Sequence, residues 1–408
     1  MNPVSKNIMQ FIKGNFGVQK NTPIFTSKSV AFLKTIYKDI LKSERNWIDD
    51  GNASIHRSLP GHIQGNHFAD DSEYTYIPSD IRLIIEHGTN WIMKYKFILN
   101  GDNYMISMIH PCNITETNVL RFFEDALHKI YLWLSVVNRF APKHCSQYMH
   151  IHLFFTEHMK TLAKTEMEPL DRIHANSAFT TGCAISTNIH IFRKEEWFKV
   201  FIHETFHNLG LDFSKMDQRL IDQNIIRLFP IAATEIRLYE TYCEIWAEVI
   251  NLLFFVFFTT QDTVLSNFDR ILRKMERLLH YEIVFSRFQC AKILNHYKIT
   301  YGQLTDPASK QLLETRYKEN TQILAYYIIK FVLLSEPDQF IKWCLRHDGP
   351  TLEFKKTQDN VQDFGKLVRQ FYKTPAFLDK LQKMEEWFSK NLKKNTFEFN
   401  TFRMTLFG

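Results

Sequence analysis

The chain has no CxxC pair, no apolar run of membrane-spanning length, no internal repeat and no long low-complexity linker. Its six cysteines, Cys112, Cys145, Cys183, Cys243, Cys290 and Cys344, are spread widely. Such spacing argues against a disulfide framework or a structural zinc knuckle and fits a reducing compartment. The N-terminus, MNPVSKNIMQFIKGNFGVQK, lacks a continuous apolar stretch and a cleavage signature, so no secretory leader is expected. The most lipid-like run is Ile250 to Phe258, INLLFFVFF, with Glu248 beside it and Asn251 inside it. A spanning helix needs ~20 apolar residues. A buried core helix is the better reading, and no transmembrane segment is expected. No basic stripe stands out either: 50 Lys and Arg against 44 Asp and Glu leave +6, scattered among acids. A nucleic-acid partner is therefore not expected, and Lys390, Lys393 and Lys394 read as a solvated helix face. These absences together predict an intracellular, cytoplasmic protein.

What is present is apolar mass, with 45% hydrophobic residues and 36 phenylalanines over 408 positions. That is enough for one large core or two closely packed ones. The expected fold class is α+β: a mixed sheet with helices, followed by a largely α-helical half. The expected division is an N-terminal extension (1–70), an α+β subdomain (71–214) and a helical subdomain (215–408). Within the first part a helix is plausible from Ser29 to Ile48, with a polar segment from Gly51 to Asp71. From Tyr74 the pattern turns to strands. Ile81 to Glu86 alternates partly, and Trp91 to Leu99 and Tyr104 to Ile109 flank Asn100-Gly101, a strong hairpin signal. Thr115 to Phe140 reads as a helix, Met149 to Phe155 and Ala184 to Phe192 as strands. A helix then opens at Arg193, and Gly210 would end it as a left-handed cap. Beyond Gly210 the pattern predicts helices over Met216–Phe229, Ala233–Phe258, Thr263–Tyr297, Lys310–Ser335, Lys366–Tyr372 and Pro375–Leu392.

The chemistry-bearing motif is His203-Glu204-Thr205-Phe206-His207, an HExxH sequence near the end of that helix. Residues i and i+4 share one helical face, so two imidazoles can hold one metal while Glu204 projects beside it towards a bound water. Zinc lowers the pKa of such a water, and a carboxylate can then take its proton. The bland alternative is two surface histidines and a solvated glutamate. A catalytic zinc wants a third protein ligand and an open position. Glu240, Glu244 and Glu248 recur every four residues on a strongly apolar helix, where unpaired carboxylates are costly. A solvent-facing acidic ridge is the competing reading of that pattern.

These residues resemble the zincin metallopeptidases of the gluzincin-like branch, in which HExxH is followed by a glutamate on a later helix. Glu244-Ile-Trp-Ala247-Glu248 looks like the ligand segment of lethal-factor-type peptidases, and Glu240-Thr-Tyr-Cys243-Glu244 looks more like the thermolysin version. The resemblance implies Zn2+ as cofactor, with His203, His207 and Glu244 as metal ligands and Glu240 as rival third ligand. It also implies Glu204 as the catalytic base, and Glu248 orienting a histidine. The metzincin branch shares HExxHNLG, but its third ligand would fall on Phe213, which cannot bind metal. Asp212 then serves a local hydrogen-bonding role. The span from Asn188 to Asn251 is also similar to metallopeptidases of large DNA viruses, which would place the chain in host cytoplasm or virion. The implied function is a zinc-dependent metalloendopeptidase acting on a peptide or protein substrate. The alternative is a non-catalytic structural or interaction protein that kept a zincin scaffold.

In zincins the strand before the motif is the sheet edge that pairs with extended substrate, so Ala184 to Phe192 is expected at an edge, or else as a fully paired interior strand. Tyr239 is a candidate hydrogen-bond donor to a developing oxyanion, with packing as the alternative. Tyr326 and Tyr327 read as core or cleft wall. His150 and His152 alternate on one strand and face the same way, for a second metal or for structure; His280 and His296 have no partner in register. Oligomeric state and cleavage specificity have no sequence signal.

Overall fold

The computed structural model describes residues 2–18, 22–63, 75–88, 90–260, 265–391 and 396–408. Tyr74, Thr263, Leu392, Lys393, Lys394 and positions 64–71 of the expected polar segment lie outside them. The fold is α+β, a mixed seven-stranded sheet with many helices. Its strands are β1 (His56–Arg57), β2 (Gly61–Ile63), β3 (Asn90–Leu99), β4 (Asp102–His110), β5 (Tyr148–Phe154), β6 (Ala178–Thr180) and β7 (Ser186–Ile191). They run in the order β1-β3-β4-β5-β7-β6, with β2 also on β3.

The hairpin β3–β4 forms where Asn100-Gly101 predicts it. Leu99 faces Asp102, and both turn residues have positive φ (54° and 92°), as a type I′ turn requires. Period-2 alternation then sorts the two faces. Tyr95, Ile106, Ile151 and Ile189 align across four strands, all fully buried in the main core. On the other face Ile109, Phe154 and Phe192 meet Ile81 and Ile85 in a smaller core. Those two isoleucines sit on helix α3 (Ser79–His87), preceded by α1 (Pro3–Phe16) and α2 (Ser27–Asn46). The expected strand over Ile81–Glu86 is therefore corrected to a helix: Ile81 and Ile85 share the buried side while Leu83 and Ile84 are exposed, an i, i+4 rather than an alternating pattern. Helix α1 has no counterpart in the sequence expectation; Asn2 caps it, Ile8 and Ile12 are buried, and Phe11 packs edge-on to Phe288 at 5.3 Å.

Helix α4 (Thr117–Val137) makes the crossover between the parallel strands β4 and β5, and a short α5 (Arg172–Ala175) precedes β6. Strand β7 is paired on both sides, parallel to β5 and antiparallel to β6. Of the two placements open for Ala184 to Phe192, the paired interior one is found, and three-residue β6 holds the edge. The same parallel pairing explains the disulfide between Cys145 and Cys183, which the wide cysteine spacing argued against. Each cysteine lies three residues before its strand, and parallel neighbours bring like ends together.

The motif helix α6 spans Trp197–Asn208, not from Arg193. Arg193 is buried, with its guanidinium donating to the carbonyls of Asn176, His158 and Ile173, and Glu196 takes a left-handed φ of 58°. Neither is compatible with a first helical turn there. Gly210 (φ 63°) ends the helix as expected: its N–H donates to His207 O and that of Leu211 to Phe206 O, a Schellman cap. The helical half follows with α7 (Arg219–Leu228), α8 (Leu238–Thr260) and α9 (Phe268–His296). The expected helix over Lys310–Ser335 is broken into α10 of this half's next pair, preceded by a single turn at 301–304: α10 (Lys310–Arg316), a π-helical turn Leu324–Ile329, then α11 (Lys330–Leu334). By length and composition α8 could cross a membrane, yet 78% of its most apolar window is buried inside the molecule.

Candidate metal centre

Two helices build the site. α6 carries His203, Glu204 and His207 on one face, all buried or nearly so. α8 packs across it in the opposite sense: Lys199 of α6 pairs with Glu244, and four residues on His203 reaches Glu240. His203 Nε2 and His207 Nε2 are 3.0 Å apart, and Glu240 Oε2 lies 3.1 Å from the first and 3.2 Å from the second.

Glu240, not Glu244, therefore joins the two imidazole Nε2 atoms, which corrects the expected third ligand. The reason is register. Moving from Glu244 to Glu240 is one turn back along α8, and this brings the carboxylate forward to His207. Glu244 sits one turn too early, ion-paired with Lys199, its Oε1 3.0 Å from His203 Nδ1 without full hydrogen-bond alignment. Glu248 is a turn further away and pairs with Lys330 at 3.0 Å, so it orients no histidine. Asp212 takes that role for His207: its Oδ2 binds His207 Nδ1, while Oδ1 accepts from the backbone N–H and hydroxyl of Ser214. Lys199 was missed as a site residue, although a lysine one turn before His203 on an otherwise apolar stretch was a visible signal.

Burial and charge pull against each other here. Burial disfavours the cationic form of His203, but Glu240 and Glu244 hold its pKa above the usual imidazole value. For His207 burial is likewise outweighed, by Cys243, Glu240 and Asp212. Burial would raise Glu240, yet the two histidines keep it well below the carboxylate range. Glu204 is raised, chiefly by burial. Each imidazole Nδ1 faces a carboxylate, a setting in which a neutral ring would carry its lone pair on Nε2, the atom that faces Glu240. Two imidazole nitrogens and one carboxylate oxygen held within 3.2 Å of one another are spaced so that they could share a cation. Two nitrogens and one carboxylate oxygen are the donor set of a catalytic zinc, so the residues fit that metal.

The three open onto a cleft of about 460 Å³, walled by the β6 edge on one side and by Tyr239 and Tyr326 on the other. The ring of Tyr239 lies 5.8 Å from that of His207, and Tyr326 lies 6.2 Å from His203. His150 and His152 do face one way, as expected, and His190 joins them; His152 and His190 stack at 4.5 Å with parallel rings. They lie on the sheet, apart from the metal centre. His280 and His296 bond to the carbonyls of Thr22 and Glu168. No family model, curated protein or solved structure matches the chain.

Proposed function

We propose that the chain is a zinc-dependent hydrolase of zincin type, a metalloendopeptidase with Glu204 as general base. The observation that carries the reading is the convergence of His203 Nε2, His207 Nε2 and Glu240 Oε2, with a carboxylate behind each imidazole. Zinc bound by these three residues supplies Lewis acidity and lowers the pKa of a coordinated water. Glu204 stands beside His203 on the same helix; its buried carboxylate, more basic than an exposed one, takes a proton from the attacking water and returns it to the leaving amine.

The substrate class follows from the cleft wall. Phe192 N–H donates to Ser177 O and Thr181 N–H to Asn188 O, so these residues turn their backbone groups towards β7. In an antiparallel ladder the intervening Ala178 and Thr180 then present theirs outward, and both residues line the cleft. An extended peptide can add to that edge by main-chain hydrogen bonds. The test is Glu204→Gln: zinc content should stay stoichiometric while peptide hydrolysis falls by ~10²–10⁴, the range a positioned base contributes. Full activity in that variant would sink the mechanism; zinc without hydrolysis of any peptide in the wild type would favour a non-catalytic scaffold.

A further inference from the structure

Behind Glu204 and His203 the cleft adjoins a second, much smaller pocket of about 30 Å³, with which it shares Asn176, Ala178 and Tyr326. Val200, Ser177, Met404, Ala175, Lys160 and Glu244 complete its lining. A single water needs ~10–15 Å³ of such space, so this pocket has room for about two or three non-hydrogen atoms.

Its walls are fixed. Val200 stands one turn before Glu204 on α6 and is 6% exposed. Met404 belongs to the C-terminal segment, which is pinned on both sides of it. Gln289 donates to Arg403 O (2.6 Å), Lys330 Nζ to Met404 O (2.6 Å), and Thr405 N–H to Glu196 (2.5 Å). Its sulfur lies 3.9 Å from Lys199 Nζ. Ser177 is held by its carbonyl to Phe192 N–H, yet its hydroxyl is buried with no hydrogen-bond partner among the described residues. Leaving a buried hydroxyl unpaired is costly, and such groups usually find a partner in water or a ligand.

We propose that this pocket receives the side chain of a substrate residue flanking the scissile bond, and that Met404 and Val200 set its size limit. Glycine, alanine and serine enter; leucine and phenylalanine do not. The inference rests on reading the site as a peptidase. The pocket touches the base itself, so a side chain lodged there belongs to a residue bonded at the reacting carbonyl or amine. A serine would also offer the Ser177 hydroxyl a partner.

The test uses the full-length, zinc-loaded protein and a peptide library randomised over eight positions, with product ends read by mass spectrometry. A small residue should occupy one fixed side of nearly every cleaved bond. Met404→Ala should then admit leucine there, raising the leucine-to-alanine ratio of kcat/KM by ten-fold or more, since each methylene in a pocket is worth ~10–200-fold. Val200→Ala enlarges the pocket from the α6 side and should give the same shift if Met404→Ala does not fold. Wild-type cleavage between two bulky residues overturns the size limit while leaving the peptidase reading intact. A folded Met404→Ala or Val200→Ala protein with unaltered preference also overturns it. Failure to cleave any peptide removes the peptidase reading, and this inference with it.

Discussion

A neutral imidazole that gives its Nδ1 proton to a carboxylate has one lone pair left, on Nε2, and the partner's geometry aims it. Asp212 does this for His207, and Glu244 Oε1 lies 3.0 Å from His203 Nδ1. Glu240 completes the convergence. Removing a ligand and removing an orienting carboxylate should therefore differ in kind. Glu240→Ala should abolish stoichiometric zinc, whereas Glu244→Ala and Asp212→Ala should retain it with affinity weakened 10–100-fold; competition with a chelator measures both. Equal losses from Glu240→Ala and Glu244→Ala would contradict the assignment. The placement of His203, Glu204 and His207 together on one helix was legible because it depends on spacing within that helix. The carboxylate that meets both histidines was not, because Glu240 and Glu244 share a face of α8 and only the register of α8 on α6, a tertiary quantity, separates them.

At the scale of elements, the π-helical turn Leu324–Ile329 has a consequence for the cleft. Within the turn Ala325 O accepts the Lys330 N–H, and the hydroxyl of Thr241, next to Glu240 on α8, adds a second bond to it at 2.9 Å. The turn carries Tyr326, whose ring lies 6.2 Å from that of His203; such bulges are frequent at functional sites. Burial holds the Tyr326 hydroxyl well above its ordinary pKa, and Glu240 and Glu204 add to this. Tyr239 is likewise pushed up mainly by burial, with Glu240 adding to this. Tyr326 lines both the cleft and the small pocket beside Glu204, whereas Tyr239 lines the cleft alone, so Tyr326 is the better placed of the two to meet charge developing on a substrate oxygen. Tyr326→Phe should lower kcat by ~10²–10³ with little change in KM, as loss of an oxyanion donor does, and Tyr239→Phe should do much less. The reverse order would return the role to Tyr239. No periodicity in ENTQILAYYIIK announces a π-turn, which is why Tyr326 read only as core or cleft wall. The same blindness to local interruption placed the start of α6 at Arg193, since a buried arginine satisfied by three carbonyls leaves no mark in an apolar pattern.

Across the whole molecule, the sheet ties the two faces of the site together. The Cys145–Cys183 bond closes a separation of 38 residues and packs against Gly210, where an added Cβ would lie 3.0 Å from Cys183 Cβ. Loop-closure entropy for that length corresponds to ~4 kcal/mol. A Cys145→Ser, Cys183→Ser protein should unfold at clearly lower denaturant, and chemical reduction of the wild type should reproduce the shift; coincident curves would exclude a structural role for the bond.

The opposite sheet face sets the acid limit. His150, His152 and His190 form one contiguous row there, flanked by Lys94 and Lys96 of β3. Burial, with those lysines, lowers His150 from 6.5 to about 4; burial and the neighbouring imidazoles lower His152 to about 2 and His190 to about 3. The unfolded chain takes up these protons as pH falls below 6.5, while the folded chain refuses them until pH 4 and below. Stability is therefore undiminished above pH 6.5 and declines as pH drops through that window, by about 1.4 kcal/mol per pH unit for each fully buried imidazole. Carboxylates titrate in the lower part of the same range, so the decisive measurement is a difference. His190 is stacked between Phe179 at 4.6 Å and His152 at 4.5 Å, a slot that a phenylalanine ring can fill. In His190→Phe the pH-stability curve between 6.5 and 4.5 should be shallower than in the wild type by roughly one imidazole's share. Parallel curves would mean that His190 is protonated in the folded protein, and that the row tolerates charge.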